Sequence, residues 1–484
     1  MKYEAIICFE THAELKIRTK LFCNCAVTTD AEPNTHICPV CTGQPGALPV
    51  LNRSAVEFCI KAGLALHCRI NPNSRFARKN YFYPDLPKGY QISQYELPLC
   101  EEGYLSVAGE DDNPYPVGIK RIHLEEDAGK LVHSSDSLET ADYSLADYNR
   151  AGVPLIEIVA DHERNPLHSV EQAKDYLQKI QQILRYIEVS DAGIEKGQFR
   201  CDVNISLRRR NSPEFGNRVE LKNMTSFKFI SEALEYEIKR QSKILDAGKT
   251  IAQETRLFDE AKKITRPMRS KEDAPDYRYF PDPDLLAVSI PEKLLEDIRQ
   301  GIPELPDQRI KSLVGKYGIG LNDAIVLTKD RDAADYFEEC LNYTSDARRL
   351  VRWLTVELFG LLNAASLSLA ECAVRPRQLA ALVNLLSVGK RSDNIGKSVL
   401  AEMLEKGGEP EELIKQKGLQ SIQDAGILEK LVDDVIAENS EIAEIIRQGS
   451  LKPVDFLMGQ VMKKSKGQAD PQMVRKMITR KLKV

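Results

Sequence analysis

The amino-acid sequence predicts an α+β fold in three domains, and three observations lead to that prediction. The chain has 484 residues, which is too long for one ordinary domain. Up to about residue 290, short apolar runs alternate with Gly, Pro and a few helical segments, as in mixed α/β folds. Beyond the turn Pro281-Asp282-Pro283-Asp284 the pattern becomes largely helical. We expect a mixed domain over 1–290, a helical domain over 291–406 and a helical tail over 407–484, after the break at Gly407-Gly408.

A strand followed by a helix is predicted between residues 153 and 187. The apolar run 153–160 is typical of a buried strand. Asn165 is the expected N-cap of the helix, with Pro166 in its first position. From Val170 to Ile187 apolar residues recur every three or four positions, so one face of this helix should pack on the core.

A strand pair is predicted in 199–207 and 219–223. The first segment alternates apolar and polar residues, so Arg200, Asp202 and Asn204 should share one face. The second segment has the composition of its partner strand. The pair would present a row of polar side chains to a cleft.

The charge of the chain is unevenly distributed. With 67 basic and 72 acidic residues the net charge is −5, so an overall basic surface of the kind that attracts nucleic acid is excluded. From residue 452 onward, nine Lys and Arg stand against two Asp, a local charge of 9 − 2 = +7. This asymmetry favours a tail that binds nucleic acid, with a solvated helix end as the alternative.

The sequence predicts a cytosolic protein without membrane association. The N-terminus becomes acidic at Glu10, before an apolar region of signal-peptide length develops. The most apolar later stretch, from Leu350 to Ala370, carries Arg352 and Glu357 and has helical periodicity. We therefore expect a packed helix there.

Four of the eleven cysteines are clustered as Cys23-x-Cys25 and Cys38-x-x-Cys41. Two short knuckles with four thiolates can close a tetrahedral zinc site, so structural Zn²⁺ is predicted. His36 could replace one ligand, and four ordinary buried thiols are the alternative. The other seven cysteines are scattered and are expected to pack in cores.

A basic and aromatic run over 78–95 precedes the acidic segment His123-Leu124-Glu125-Glu126-Asp127. Rings suit a flat substrate such as adenine, Arg and Lys suit phosphate, and clustered carboxylates suit Mg²⁺. The combination indicates phosphoryl transfer. The alternative is a surface loop followed by a solvated acidic turn.

The motif Glu10-x-His12 lies on a predicted strand, where its spacing aims both side chains at one face. With carboxylates from later elements it could bind a hard divalent cation and leave positions open for phosphate. The further candidates are Glu125, Glu126, Asp127, Glu157 and Asp202. A lone strand histidine with a structural role is the alternative.

Two familiar nucleophile and phosphate motifs are missing from the sequence. Gly396-Lys397-Ser398 resembles the end of a P-loop, but position 391 is Arg where the motif needs glycine. A GxSxG elbow or another serine nucleophile motif is also missing. We expect that the chain cannot hydrolyse an amide by itself and that any nitrogen donor comes from a partner.

Several motifs together are similar to those of the GatB family, the B-type subunits of the aspartyl/glutamyl-tRNA amidotransferases. Their order along the chain makes a chance match implausible. They occupy residues 10–15, 45–49, 78–85, 90–94, 124–130, 149–159, 200–204 and 276–281. The tail 459–472 resembles the YqeY-like module of the same family. Cys8 and Thr11 depart from the opening strand of the family, which has glycine and valine there.

The resemblance implies a ligase that forms carbon–nitrogen bonds with glutamine as amido donor. ATP would phosphorylate the side-chain carboxylate of misacylated Glu-tRNA(Gln) or Asp-tRNA(Asn). Ammonia made by an A-type amidase subunit would then displace phosphate, in a cytosolic heterotrimer completed by a small C-type subunit. The N-terminal domain would be the catalytic cradle and the tail would bind tRNA.

The resemblance and the residue patterns together assign candidate roles. Glu10, His12, Glu125 and Glu157 are assigned to Mg²⁺, with Glu126, Asp127, Asp202 and Asn204 as a second group. ATP phosphates or the ammonia entrance are assigned to Arg78, Lys79 and Tyr81, and less directly to Lys88, Tyr90 and Gln91. For tRNA the candidates are Lys463, Lys464, Lys466, Arg475 and Lys476.

Two other functions are compatible with these motifs. One is a non-catalytic, zinc-stabilised scaffold that binds tRNA and docks the amidase. The other is a metal-dependent nuclease, which would need a second metal site. The sequence does not decide between Asp-tRNA(Asn) and Glu-tRNA(Gln).

Overall fold

A computed structural model describes residues 2–109, 113–134, 141–210, 212–268, 276–387, 393–416, 425–448, 452–465, 469 and 471–482. The chain forms two compact units, Met1–Leu305 and Pro306–Val484. The first unit combines a large sheet with helices, and the described part of the second is helical. The predicted α+β class is therefore confirmed. The division into three domains stays a prediction.

Strands dominate the first unit. They are β1 (Tyr3–Glu14), β2 (Arg69–Ile70), β3 (Asn73–Ser74), β4 (Ala77–Asn80), β5 (Tyr90–Ser93), β6 (Cys100–Ala108), β7 (Pro114–Glu126), β8 (Lys130–His133), β9 (Ser144–Asp147), β10 (Pro154–Ala160), β11 (Phe199–Arg209), β12 (Val219–Lys222), β13 (Glu254–Asp259), β14 (Ile264–Pro267), β15 (Phe280–Pro281) and β16 (Val288–Ser289). The predicted strand near 153–160 and the predicted pair near 199–223 correspond to β10 and to β11 with β12.

Among the described residues, nine strands form one sheet in the order β14-β13-β12-β11-β1-β10-β7-β6-β2. Only the pairing of β12 with β13 is parallel among these neighbours. β1 is central, and its residues alternate between the two faces, with Phe9 and Ala13 fully buried and Glu10 and His12 half-buried. The sheet thus has an apolar face on the core and a polar face.

The described part of this unit has four helices: α1 (Arg53–Ala65), α2 (Val170–Tyr186), α3 (Phe227–Asp246) and α4 (Glu292–Gln300). The α2 side chain Tyr176 stacks on Phe9 of β1, with the ring centroids 5.8 Å apart. Such contacts join α2 to the apolar face of the sheet. The polar face is therefore the one available for chemistry.

The predicted start of α2 was wrong. Ser169, not Asn165, is the N-cap, and its hydroxyl accepts the Gln172 N–H at 3.1 Å. The residues between them are held in a bridge to β1, where Leu167 exchanges backbone hydrogen bonds with Ile7 at 2.9 and 3.2 Å. Asn165 itself has φ = +52°. The pairing of Leu167 with β1 therefore determines where the helix begins, although Asn165 and Pro166 form the sequence pattern of a helix start.

The second unit contains α5 (Pro306–Tyr317), α6 (Leu321–Thr328), α7 (Arg331–Cys340), α8 (Ala347–Arg352), a π-helical segment (Trp353–Leu358), α9 (Phe359–Ala365), a 3₁₀ turn (Leu369–Glu371), α10 (Pro376–Ser387), α11 (Asp393–Lys406), α12 (Pro410–Gln416), α13 (Ala425–Glu438), α14 (Ser440–Arg447), α15 (Val454–Lys464) and α16 (Pro471–Leu482). Buried apolar side chains form one cluster between residues 313 and 414 and another between 428 and 482. Within the described residues, every helix is too short or too polar to cross a membrane.

The P-loop-like tripeptide lies within α11, and its glycine has a packing role. A Cβ placed on Gly396 would lie 2.4 Å from the ring of Trp353. Lys397 pairs with Glu357, with 2.8 Å between Nζ and Oε1. Close helix packing therefore accounts for this glycine.

Candidate functional site

A group of carboxylates and histidines lies on the polar face of the central strands. His12 on β1 is directly opposite Glu157 on β10, and Glu157 is opposite His123 on β7. Nε2 of His12 lies 3.6 Å from Oε1 of Glu125 and 3.7 Å from Oε2 of Glu157. One ligand atom from each of these three residues lies within 4.8 Å of the others. We call His12, Glu125 and Glu157 the histidine–carboxylate centre.

His123 adjoins this centre and had no assigned role in the sequence prediction. Its Nε2 lies 3.1 Å from Oε2 of Glu157 and 3.6 Å from Oε2 of Glu125. Burial disfavours its charged form, but the two carboxylates outweigh burial and raise the pKa of His123 to about 9. His123-x-Glu125 places a histidine and a glutamate two positions apart, as Glu10-x-His12 does. This spacing could have identified His123 as a candidate site residue from the sequence.

The two carboxyl groups of the centre favour their ionised forms. Burial opposes ionisation of Glu157, but His123, His12 and Lys79 hold its pKa well below the ordinary range. For Glu125 burial is likewise outweighed, chiefly by the hydrogen bond with His123, and its pKa is lowered. The centre therefore offers anionic oxygen ligands at neutral pH.

Glu10 belongs to a second group on the same face. One ligand atom each from Glu10, Asp202 and Glu220 lies within 4.8 Å of the others. Burial, Glu157 and Asp202 raise the pKa of Glu10. Asn204 donates its side-chain amide to Oε1 of Glu10 at 3.3 Å. Glu220 was not among the predicted site residues, because only the strand register brings it here.

The remaining acidic candidates have cationic partners inside the fold. Glu126 pairs with Lys88 and accepts the Ile92 N–H at 2.8 Å. Asp127 accepts a hydrogen bond from Arg200 at 2.8 Å. Neither residue belongs to the histidine–carboxylate centre, and both stabilise the fold through these contacts.

Arg78, Tyr90 and Gln91 of the basic and aromatic run contact each other or other parts of the fold. Arg78 bonds Asp282 at 2.9 Å and Asp284 at 2.7 Å, and its guanidinium lies 4.1 Å from the ring centroid of Tyr90. The Gln91 amide donates to the Glu126 carbonyl at 2.7 Å. These contacts give Arg78, Tyr90 and Gln91 structural partners.

Lys79 and Tyr81 interact electrostatically with the centre, Lys79 with Glu157 and Tyr81 with Glu125. The Lys79 ammonium lies 4.7 Å from the ring centroid of Tyr277 and 5.8 Å from that of Tyr81. Burial and the charge of Glu125 raise the pKa of Tyr81, so its hydroxyl stays protonated. Lys79 therefore supplies a cation beside Glu157, framed by two tyrosines.

A cavity of about 460 Å³ opens beside Glu10 and Asn204. Its lining includes four basic or imidazole side chains and one exposed ring, namely Lys120, Arg121, His162, Arg218 and Phe215. Because cationic side chains and an aromatic ring line the cavity, it suits an anionic, ring-containing ligand. The sequence prediction missed it, since its residues come from β7, β10 and the segment before β12.

The four clustered cysteines lie together, with one sulfur from each within 4.8 Å of the others. Hydrogen bonding from Cys23, with help from Lys20, lowers the pKa of Cys41 to about 4. Nζ of the fully buried Lys20 lies 3.5 Å from Sγ of Cys41. His36 is not a member of this group. Four sulfurs beside one buried ammonium form a donor set that suits Zn²⁺.

Two known families match this chain. The family described as the GatB/GatE catalytic domain matches residues 5–296, and the family described as the GatB domain matches residues 335–482. The chain belongs to the GatB family. The histidine–carboxylate centre, the second acidic group and the cavity all lie in the part that matches the catalytic domain.

Curated relatives of this GatB-family chain match it from end to end. The B subunit of the aspartyl/glutamyl-tRNA(Asn/Gln) amidotransferase of Carboxydothermus hydrogenoformans is 49% identical over 481 residues, 99% of each chain. Proteins with the same name from Thermodesulfovibrio yellowstonii and Geotalea daltonii are 46% and 48% identical over 483 residues. These two matches cover 100% of both chains. The resemblance seen in the sequence motifs is thereby confirmed.

The basic tail of this GatB-family chain lies on α15 and α16. Lys463 and Lys476 are exposed, whereas Lys464 pairs with Glu438 of α13 at 2.5 Å. Arg475 lies 3.5 Å from Asp455. Lys466 lies outside the described residues. Part of the positive charge is thus paired with acidic neighbours.

Proposed function

We propose that this GatB-family chain activates and amidates the side-chain carboxylate of Glu or Asp misacylated onto tRNA. The observation that carries the proposal is the histidine–carboxylate centre beside a basic cavity, within the part that matches a family described as catalytic. The relatives' name, which specifies aspartyl/glutamyl-tRNA(Asn/Gln) amidotransferase, supports the same activity over the whole chain. A non-catalytic scaffold would not need such a centre.

The donor set of the centre fits a hard divalent cation such as Mg²⁺. Two carboxylates and one imidazole provide three ligands and leave positions for phosphate oxygens and water. Glu10 stays the predicted fourth ligand, since it lies two positions from His12 on β1 and so on the same face of the sheet. When bound there, the ion would neutralise charge on phosphate oxygens during transfer.

The cavity beside Glu10 is the proposed site of ATP, which is a substrate. Lys120, Arg121 and Arg218 would neutralise the phosphates, and Phe215 would contact the base. Lys79, which interacts electrostatically with Glu157, would receive the carboxylate of the aminoacyl group together with Tyr81 and Tyr277. Arg78, Lys88, Tyr90 and Gln91 would hold these elements in place through their intramolecular contacts.

The chemistry requires two transfers. The carboxylate oxygen attacks the γ-phosphorus of ATP, which releases ADP and leaves an acyl phosphate. Ammonia then attacks the carbonyl carbon, and phosphate departs with the former carboxylate oxygen. A carboxylate has no comparable leaving group, so the first transfer makes the second possible.

Ammonia would come from the A-type amidase partner, and the small C-type partner would complete a cytosolic heterotrimer. The four-cysteine group would hold structural Zn²⁺, and the exposed lysines of α15 and α16 would contact the tRNA backbone. The proposal covers both Glu-tRNA(Gln) and Asp-tRNA(Asn), as the relatives' name does.

The test is ATP turnover by the assembled complex with misacylated Glu-tRNA(Gln) or Asp-tRNA(Asn). We expect ADP to form with either of these substrates and much more slowly with the correctly charged Gln-tRNA(Gln), which offers no carboxylate. Equal ADP release with all three tRNAs, or none with any, would contradict the proposal. As a control, the amount of tRNA bound to the complex is measured and should be equal in the three reactions.

A further inference from the structure

Lys20 is a fully buried lysine whose ammonium lies beside the four-cysteine group. Its Nζ lies 3.5 Å from Sγ of Cys41 and 3.3 Å from the carbonyl oxygen of Tyr148, and it donates to both atoms. Neither of these partners is a carboxylate. A buried ammonium is strongly destabilising unless an anion accompanies it. The burial of Lys20 therefore requires negative charge on the sulfur atoms.

The sulfur of Cys41 is the most shielded of the four and accepts two hydrogen bonds. The backbone N–H of Cys38 donates to it at 3.2 Å, in addition to the ammonium of Lys20. Cys41 is buried, whereas the other three cysteines of the group are half-buried. Zn²⁺ with four thiolates has a net charge of 2 − 4 = −2, so the zinc-bound group would supply the anion that Lys20 requires.

The turn before β10 holds Lys20 against the cysteines. The Leu21 N–H donates to the Gly152 carbonyl at 2.8 Å. A Cβ placed on Gly152 would lie 3.4 Å from Cβ of Cys41 and 3.5 Å from Cδ of Lys20. Glu126 also approaches Gly152, but its carboxylate is paired with Lys88. The ammonium is thus enclosed between this turn and the sulfur of Cys41.

We propose that Lys20 is the built-in counter-ion of the four-cysteine zinc group and a positioning residue for its ligand Cys41. The inference rests on the zinc site of the proposed function. The ammonium would reduce the net charge of the buried group from −2 to −1 and hold the Cys41 sulfur in place through its hydrogen bond. Partners that hydrogen-bond metal ligands typically change metal affinity tenfold to a hundredfold.

The test uses the full-length protein in two measurements, the absorption spectrum after Co²⁺ replaces the native metal and the Zn²⁺ affinity in competition with a chelator. In Lys20→Met and Lys20→Gln the dissociation constant for Zn²⁺ should rise about tenfold to a hundredfold. The sulfur-to-cobalt charge-transfer band should move to longer wavelength, because loss of the nearby positive charge raises the energy of the sulfur electrons. Only metal-loaded protein gives this band, so its position is independent of any unfolded fraction.

Two control variants separate charge from packing. Tyr148→Phe removes a hydroxyl that donates to the Pro84 carbonyl at 2.9 Å, and it keeps the backbone carbonyl that Lys20 contacts. Lys249→Met removes an exposed lysine of the same unit. Both should keep the wild-type band position and Zn²⁺ affinity.

An unchanged band and an unchanged Zn²⁺ affinity in Lys20→Met and Lys20→Gln would overturn the inference and leave the zinc site intact. A shift of the same size in Tyr148→Phe would also overturn it, because packing of the turn would then be the cause. A wild type that binds neither Co²⁺ nor Zn²⁺ would contradict the zinc site itself, and the inference with it.

Discussion

His12 and Glu157 face each other across the pairing of β1 and β10, with 3.7 Å between Nε2 and Oε2. Because both residues lie in central strands of a nine-stranded sheet, the hydrogen-bonded register fixes their separation. The ligand geometry is thus built into the fold before any cation binds.

Glu14, at the end of β1, should make stability depend on pH. Burial and repulsion by Asp127 raise its pKa to about 7, against the partial effect of Arg200 and Arg150. The folded state therefore binds a proton more tightly than the unfolded state, and stability falls as pH rises from about 4.5 to about 7. In urea unfolding at pH 8, Glu14→Gln should be more stable than the wild type by about 1–2 kcal/mol, which allows for partial exposure.

The Glu14→Gln gain should vanish near pH 4.5, where the wild-type carboxyl group is protonated. The exposed Glu195→Gln is the matched control, and its stability should follow that of the wild type at both pH values. If Glu14→Gln changed the free energy of unfolding equally at both pH values, the charge of Glu14 would not be the cause of the change.

Local patterns in the sequence predicted much of this structure. Alternation placed Asp202 and Asn204 on one face of β11, and the spacing of Glu10 and His12 placed both on the polar face of β1. The clustered cysteines also lie together as predicted. These features depend on residues a few positions apart, for which side-chain periodicity is a sufficient guide.

Features that depend on strand order could not be predicted from the sequence. His123 joins His12 only because β10 lies between β7 and β1, and Glu220 joins Glu10 only through β11. The cavity lining comes from segments far apart in the chain. Neither composition nor periodicity specifies which strands become neighbours, so these contacts required the fold.

The four-cysteine group should hold about one zinc ion per chain, measured by elemental analysis of the purified protein. Cys38→Ser with Cys41→Ser should lose the metal and lower the melting temperature of the first unit, because binding energy at such sites contributes to folding. Cys201→Ala, outside the group, should keep its zinc. A metal-free wild type as stable as a zinc-loaded sample would refute the assignment.

Arg218 is exposed at the cavity beside Glu10, where the ATP phosphates are proposed to bind. Removing one charge-assisted hydrogen bond to a phosphate costs about 1.5–3 kcal/mol. Arg218→Ala should therefore raise the KM for ATP about tenfold or more, with little change in affinity for tRNA. The exposed Arg210, outside the cavity lining, provides Arg210→Ala as the control. An unchanged KM for ATP in Arg218→Ala would place the nucleotide elsewhere.

The tail should bind tRNA through exposed cations. Truncation is a poor test, because Val474, Ile478 and Leu482 of α16 are buried in the last apolar cluster. The better change is Lys463→Glu with Lys476→Glu, which should weaken tRNA binding and reduce the slope of log affinity against log salt by about 2. Fluorescence anisotropy at several salt concentrations measures both quantities.

The matched control for the tail is Lys406→Glu with Lys415→Glu. Both lysines are exposed on α11 and α12, and the change in net charge is the same. This variant should bind tRNA with the wild-type salt dependence. Identical slopes for both double variants would mean that the tail is a structural helical element.

The central claim is that the histidine–carboxylate centre activates the carboxylate of the aminoacyl group. Its most direct test is the rate of ATP-dependent amidation of Glu-tRNA(Gln), with ammonium chloride as nitrogen source so that the amidase step is bypassed. Loss of a metal ligand removes several kcal/mol of charge stabilisation, so His12→Ala and Glu125→Gln should each be at least about a hundredfold slower. His67→Ala, an exposed histidine stacked on Tyr104, should keep the full rate. Full amidation by folded His12→Ala and Glu125→Gln would contradict the account.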